Sequence, residues 1–201
     1  MTDLKQQAQG HVTAGILTGG GSRRFGRDKA FYPWKGRTLV EWTIRGAGHM
    51  TDDIYLLVKE RQHMDSPLRG IKILEDHFEV PTPLNGIHSI IPHVKEWLLL
   101  LACDIPFFDE QILNLLWEYR SMDKATVIRA DDRYHPFLGL YPVSVLSCWD
   151  EAFAAGEYHL QRIVERMPRV ILEEDLLESR GIDRLSFANI NSPADLERLP
   201  L

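Results

Sequence analysis

The longest uninterrupted apolar stretch, residues 97–103 (WLLLLAC), lies near the middle of the chain. An apolar run on both faces predicts a strand at 97–102 that is covered on both sides, as at the centre of a parallel sheet. It stops at Cys103-Asp104-Ile105-Pro106, where proline blocks any further ladder. Shorter runs predict strands ending at Leu17, at 54–58 and at 71–74, the last leading straight into Glu75 and Asp76. Between the strands the apolar period lengthens. Residues 38–48 place Leu39, Trp42 and Thr43 on one stripe and Val40, Ile44 and Ala47 on the next, a helix closed by Gly46 and Gly48. Asn85 reads as the N-cap of a helix carrying Ile87, Ile90, Ile91 and Val94. Asp109 caps another with Ile112, Leu115, Leu116 and Tyr119 inward. Further strands are predicted at 125–129, 137–141 and 170–172, and helices at 143–155 and 159–165. The tail reads as a strand at 186–190, then a helix with Ser192 as N-cap, Pro193 at its first position and Asp195 completing a capping box.

Strands alternating with helices predict a three-layer α/β/α domain with a mostly parallel sheet, spanning residues 1–201 as one domain. In such sheets ligands sit beyond the carboxyl ends of the strands. The stretch from Gly19 to Lys29, Asp76 and Asp104 each follow such an end, so three segments deliver polar residues to one edge.

The first of these segments concentrates candidate chemistry. Residues 15–29 read GILTGGGSRRFGRDK. Glycines let backbone N–H groups converge on an anion, and cations supply charge. Arg23, Arg24, Arg27, Lys29, Lys35 and Arg37 fall within 15 positions of a chain with net charge −6, which points to a local anion site. It is not a P-loop, because Gly21 and Gly26 are followed by Arg27 and Asp28. Nor is it the dinucleotide fingerprint, because Arg24 stands where the third glycine belongs.

Composition narrows the rest. A pI near 5.7 and the lack of an extended basic stripe argue against nucleic acid as partner. The longest apolar run is far short of the ~20 residues that span a bilayer, and the first 13 residues lack an apolar core, so neither a membrane nor export is expected. Cys103 and Cys148 cannot build a disulfide framework or a zinc cluster, and both are expected as buried thiols in a reducing cytoplasm.

Residues 17–29 fit the pattern L-x-G-G-x-x-x-R-x-G-x-D-K. This resembles the signature of nucleotidyltransferases with the Rossmann-like nucleotide-diphospho-sugar transferase fold. With Ile73-Leu74-Glu75-Asp76, Pro83-Leu84-Asn85-Gly86-Ile87, Cys103-Asp104-Ile105-Pro106, His135-Pro136 and residues 189–196 added, the chain resembles the molybdenum cofactor guanylyltransferase family over most of its length. That resemblance implies transfer of GMP from GTP to molybdopterin with release of pyrophosphate, and contact with other molybdenum cofactor proteins. It implies nucleotide binding by Leu17, Thr18, Gly19, Gly20, Lys29, Asp76 and Asp104, with Mg²⁺ on Asp104. The acceptor side would use Gly86, His135, Asn189 and Asn191. Thr18, Lys59, Thr82 and Asn85 depart from the family pattern.

A terminal phosphate monoester has a second pKa of about 6 and needs no general base to attack phosphorus. The remaining work is electrostatic, and Asp104 with Lys29 and Arg24 opposite is the minimal set for it. Plainer roles stay open for several of these residues: Asp104 as a cap, Asp76 as a solvated carboxylate, His135 as a structural polar group, and Asn189 and Asn191 as caps of the last helix. Two rival functions also stay open, cytidylyl or other nucleotidyl transfer on the same fold, and nucleotide binding without turnover.

Overall fold

A computed structural model describes residues 3–18, 25, 28–59, 68, 70–75 and 82–198. Helix α1 (Leu4–Ala8) leads into β1 (Val12–Leu17). A small hairpin of β2 (Pro33–Trp34) and β3 (Arg37–Thr38) precedes α2 (Leu39–Ala47), β4 (Ile54–Val58) and β5 (Lys72–Glu75). Then come α3 (Leu84–Ile90), β6 (Trp97–Ala102), α4 (Glu110–Glu118), β7 (Ala125–Ala130) and β8 (Arg133–Pro142). The chain finishes with α5 (Ser147–Ala154), α6 (Leu160–Arg166), β9 (Arg169–Glu173), α7 (Glu174–Ser179) and α8 (Pro193–Glu197).

Seven strands form one sheet in the order β5-β4-β1-β6-β8-β7-β9. β5, β4, β1 and β6 run parallel, as do β7 and β9, while β8 is antiparallel to both its neighbours. The apolar run of β6 is central, and every residue in it is buried. Alternate residues of that strand feed opposite faces, as the pleat requires. Trp97, Leu99 and Leu101 join a core with residues of α2, α4 and α7, whereas Leu98, Leu100 and Ala102 join a second with Leu84 and Ile87 of α3, Trp149 of α5 and Ile163 of α6. The three-layer α/β/α architecture follows from these two cores sharing one sheet.

The helix starts obey local chemistry. Thr38 and Glu41 close a capping box on α2, the Glu41 carboxylate accepting from the Thr38 N–H at 2.7 Å. Asp109 accepts from the Gln111 N–H at 2.8 Å to begin α4. At α8 the Asp195 carboxylate accepts from the Asn191 and Ser192 N–H groups, both at 2.8 Å.

Several expectations are corrected. Asn85 is not an N-cap: it lies inside α3, fully buried, and the N–H of Leu84 instead approaches the Thr82 hydroxyl at 3.4 Å. Residues 186–190 form no strand, because the chain turns through a 3-10 helix, Arg184–Phe187, begun by the Asp183 carboxylate accepting from Leu185. Phe187 and Ile190 both point inward, three residues apart, which suits a turn rather than a pleat. Helix α7 was not expected. Cys103 is buried, but Cys148 is only half-buried.

Gly46 does not end α2 but lies within it. A Cβ there would stand 2.4 Å from Cζ of the buried Phe108 ring, so the glycine is required by close approach of the loop after β6. Alanine would gain about 1 kcal/mol of helix propensity, but forcing a methyl into a packed site costs typically 1–3 kcal/mol. Gly46→Ala is therefore expected to lower stability in urea denaturation, and Gly46→Ala with Phe108→Leu to recover part of the loss.

Candidate active site

The chain lays β4 and β5 on one side of β1 and then crosses to place β6 on the other, so the crevice beyond the ends of β1 and β6 is the topological switch point where such sheets bind ligands. β1 and β6 end level, with Leu17 opposite Ala102, and on the other side Leu17 faces Leu57, one residue before the end of β4. Beyond that line the chain is tied further. The Thr18 N–H and hydroxyl both donate to the Leu57 carbonyl, at 3.2 and 3.0 Å. The Cys103 N–H donates to the Leu17 carbonyl at 3.0 Å, and its thiol lies 3.6 Å from the Thr18 carbonyl. Burial pushes that thiol up to about 12, so Cys103 remains an inert S–H group.

Asp104 is the first residue released from this lacing. Its side chain is 34% exposed, and Lys29 Nζ lies 4.0 Å from its Oδ2. Lys29 comes from the 3-10 turn Lys29–Phe31, which Asp28 caps by accepting from the Ala30 N–H at 3.0 Å. Its ammonium also sits 5.8 Å from the Phe25 ring centroid. Burial raises the Asp104 carboxyl above its ordinary range, and the Lys29 charge opposes that rise.

The reversed direction of β8 brings its first residues to the same edge. Here β7 and β8 join through Asp131 and Asp132, at φ 49° and 56°, the paired positive values of a tight two-residue hairpin. The register then jumps: Val127 faces Gly139 while Ile128 faces His135, leaving residues 136–138 bulged on β8 alone. Pro136 suits a bulge because it has no N–H to place. Its carbonyl accepts from the buried Tyr141 hydroxyl at 2.8 Å, and a Cβ on Gly139 would come within 3.0 Å of the Tyr141 ring. The bulge aims His135 at a cavity of about 310 Å³ lined by Asp104, Asp131, Arg133, His135, Gln161 and Asn189 among others. Gln161 fixes one wall by pairing with both backbone groups of Tyr134, at 2.9 and 2.8 Å.

Of the expected site residues, Lys29, Asp104, His135 and Asn189 converge here, and the Ile190 N–H donates to the Asp104 carbonyl at 2.7 Å to bring the tail in. Leu17 and Thr18 form the buried floor at the β1 end. Asn191 is exposed and does not line the cavity, its N–H engaged by Asp195. Gly86 is buried in α3, where a Cβ would stand 3.1 Å from Leu57 Cβ, so packing accounts for it. Gly19, Gly20, Arg24 and Asp76 lie outside the described residues. Asp131, Arg133 and Gln161 were missed. The paired aspartates of a hairpin turn were the available signal for the first two, while nothing local marks Gln161.

Among the described residues no group of three or more His, Cys, Asp or Glu side chains could hold a metal ion. Asp104 alone nevertheless fits magnesium, which commonly takes one or two carboxylates and completes its sphere with water and substrate phosphate. No helix among the described residues is long and apolar enough to cross a membrane.

A mostly parallel sheet with a lysine–carboxylate pair at its switch point is a Rossmann-like arrangement suited to binding a nucleoside phosphate. The fold is shared with the molybdopterin-guanine dinucleotide biosynthesis protein A of Archaeoglobus fulgidus, at TM-score 0.76 and 24% identity over 92% of this chain and 95% of that one. It is shared also with the 2-C-methyl-D-erythritol 4-phosphate cytidylyltransferase of Thermus thermophilus, at TM-score 0.69 and 16% identity over 92% and 95%. The chain belongs to the MobA-like NTP transferase domain family, which matches residues 14–170. Among its relatives is the molybdenum cofactor guanylyltransferase of Pseudomonas syringae pv. syringae (strain B728a), 32% identical over 184 residues, 89% of this chain and 88% of the relative. Another is the probable molybdenum cofactor guanylyltransferase of Halalkalibacterium halodurans, 30% identical over 190 residues, 90% and 93% of the two chains.

Burial holds the His135 imidazole below its ordinary value of 6.5, against the pull of Asp131, Asp104 and Glu174, so it is neutral at pH 7. Between 6.5 and the lower folded value the unfolded chain binds more protons, and stability should fall as pH drops through that window. NMR titration of His135 should give a midpoint below 6.5, and His135→Asn should flatten the acid-side loss of stability.

Proposed function

We infer that this protein transfers the GMP group of GTP to the terminal phosphate of molybdopterin and releases pyrophosphate, forming the guanine dinucleotide form of the molybdenum cofactor. The observation that carries this reading is the Lys29–Asp104 pair, 4.0 Å apart at the switch point, in a chain matched nearly end to end by guanylyltransferases. GTP belongs on the Lys29 side, beyond β1, and the acceptor in the cavity of His135, Gln161 and Asn189. Asp104 lies between the two.

An oxygen of the ionised acceptor phosphate attacks the α-phosphorus of GTP. The bond from that phosphorus to the bridging oxygen breaks, and its electron pair leaves with pyrophosphate. No proton need move, so the neutral His135 is suited to orienting the acceptor as a hydrogen-bonding group. Lys29 places a fixed charge against phosphate oxygens in a partly dry site, where it acts more strongly than in water. Asp104 is the residue that would hold magnesium, which when bound lessens the repulsion between the triphosphate and the incoming phosphate. Arg24 is proposed as a second cation and Gly19, Gly20 and Asp76 as further nucleotide contacts, on the resemblance of their segments alone. The site of action is proposed to be the cytoplasm, with other molybdenum cofactor proteins as partners.

Incubation with molybdopterin, Mg²⁺ and each nucleoside triphosphate in turn should release pyrophosphate fastest with GTP. Faster release with CTP would replace the guanylyl reading by cytidylyl transfer.

Lys29→Met keeps the apolar stem and removes the charge. It should lower kcat by about 10²–10³ with the fold retained and a modest fall in melting temperature, because Asp104 loses the charge that offsets its burial. A near-normal kcat would move the essential cation elsewhere.

A further inference from the structure

A third apolar cluster stands apart from the two cores, at the edge that carries the site. Phe25, Leu39, Ile190 and Leu196 are buried together, with Tyr32, Trp34 and Phe107 packed against them. These residues come from segments that also supply the site. Phe25 lies four residues before Lys29, beneath its ammonium, and Phe107 three residues after Asp104. Ile190 separates Asn189 from Asn191 and donates its N–H to the Asp104 carbonyl at 2.7 Å. Leu196 is the buried residue of α8, a helix of only five residues.

A helix that short does not hold itself in water. Its place is set by Leu196 in the cluster and by Asp195, whose carboxylate gathers the Asn191 and Ser192 N–H groups. The Ile190 to Asp104 hydrogen bond therefore depends on apolar contacts made by residues that do not line the cavity themselves.

We propose that Ile190 and Leu196 are positioning residues that fasten the tail to Phe25 and to the backbone of Asp104, coupling nucleotide binding beyond β1 to acceptor binding beside Asn189. This rests on the two-substrate reading given above. A nucleotide that holds Lys29 steadies the Phe25 ring beneath its ammonium, which lowers the remaining cost of ordering the tail, so the tail is better placed for the acceptor. The coupling is reciprocal, and acceptor binding tightens nucleotide binding by the same factor.

Amide hydrogen exchange at Ile190 in the wild-type protein tests this directly. Saturating Mg²⁺ and GTP should slow that exchange by about fivefold or more, and unchanged exchange would overturn the coupling. Leu196→Ala should weaken GTP binding by about fivefold in calorimetry, within the range that residues away from a ligand contribute. Leu196→Met, which refills the volume, should restore it. A lower melting temperature with unchanged GTP affinity would show Leu196 to be structural only and would overturn the proposal. If Leu196→Ala does not fold, the wild-type exchange measurement still decides. Should another nucleoside triphosphate bind best, the guanylyl reading fails, and the same exchange measured with that nucleotide judges the coupling separately.

Discussion

The site depends on the ladder between β1 and β6 being carried one residue past the sheet. Buried backbone groups must find partners, and here the Leu17 carbonyl takes the Cys103 N–H while the Thr18 N–H and hydroxyl converge on Leu57. Neither chain can leave the sheet before Thr18 and Cys103. The height at which Asp104 emerges is thereby set by hydrogen bonding between strands, independently of the loop that follows. Thr18, a departure from the family pattern, gains a structural reason: its hydroxyl binds the end of β1 to the end of β4 where an alanine could not.

The electrostatics of the Lys29–Asp104 pair follow from that placement. Both side chains are partly withdrawn from water, which costs each of them hydration, and at 4.0 Å their attraction offsets this without a tight hydrogen bond. A carboxylate held this way keeps lone pairs for a further cation. Exposed pairs elsewhere, such as Arg180 with Glu118, lack that constraint and are screened by water and salt.

The sheet was readable in the sequence wherever burial imposed continuous apolar runs, as in β1, β4 and β6. Helix α4 was readable because Asp109 and its apolar stripe speak together. What escaped was long-range. Gly46 reads locally as a terminator, and only the approach of Phe108, 62 residues away, explains it. The bulge after His135 depends on two neighbours with different registers, which no single strand pattern encodes. Gln161 acts through the backbone of Tyr134 and leaves no periodic trace. Lys29 and Asp104 were legible because each stands just beyond a strand end, whereas the cavity of His135, Gln161 and Asn189 is assembled from β8, α6 and the tail.

The bulge on β8 has an architectural effect. Residues 136–138 are surplus to β7, whereas on the β6 side Leu138 through Pro142 pair in unbroken succession with Leu101 through Trp97. Slack is thus confined to the outer ladder. A residue added or removed between Ile128 and His135 would change how far the hairpin overhangs the sheet without shifting the count on the central strands. Chain length in this hairpin can therefore set the room in the cavity beside His135, much as a drawer slides in a fixed frame, leaving the ends of β1 and β6 as they were.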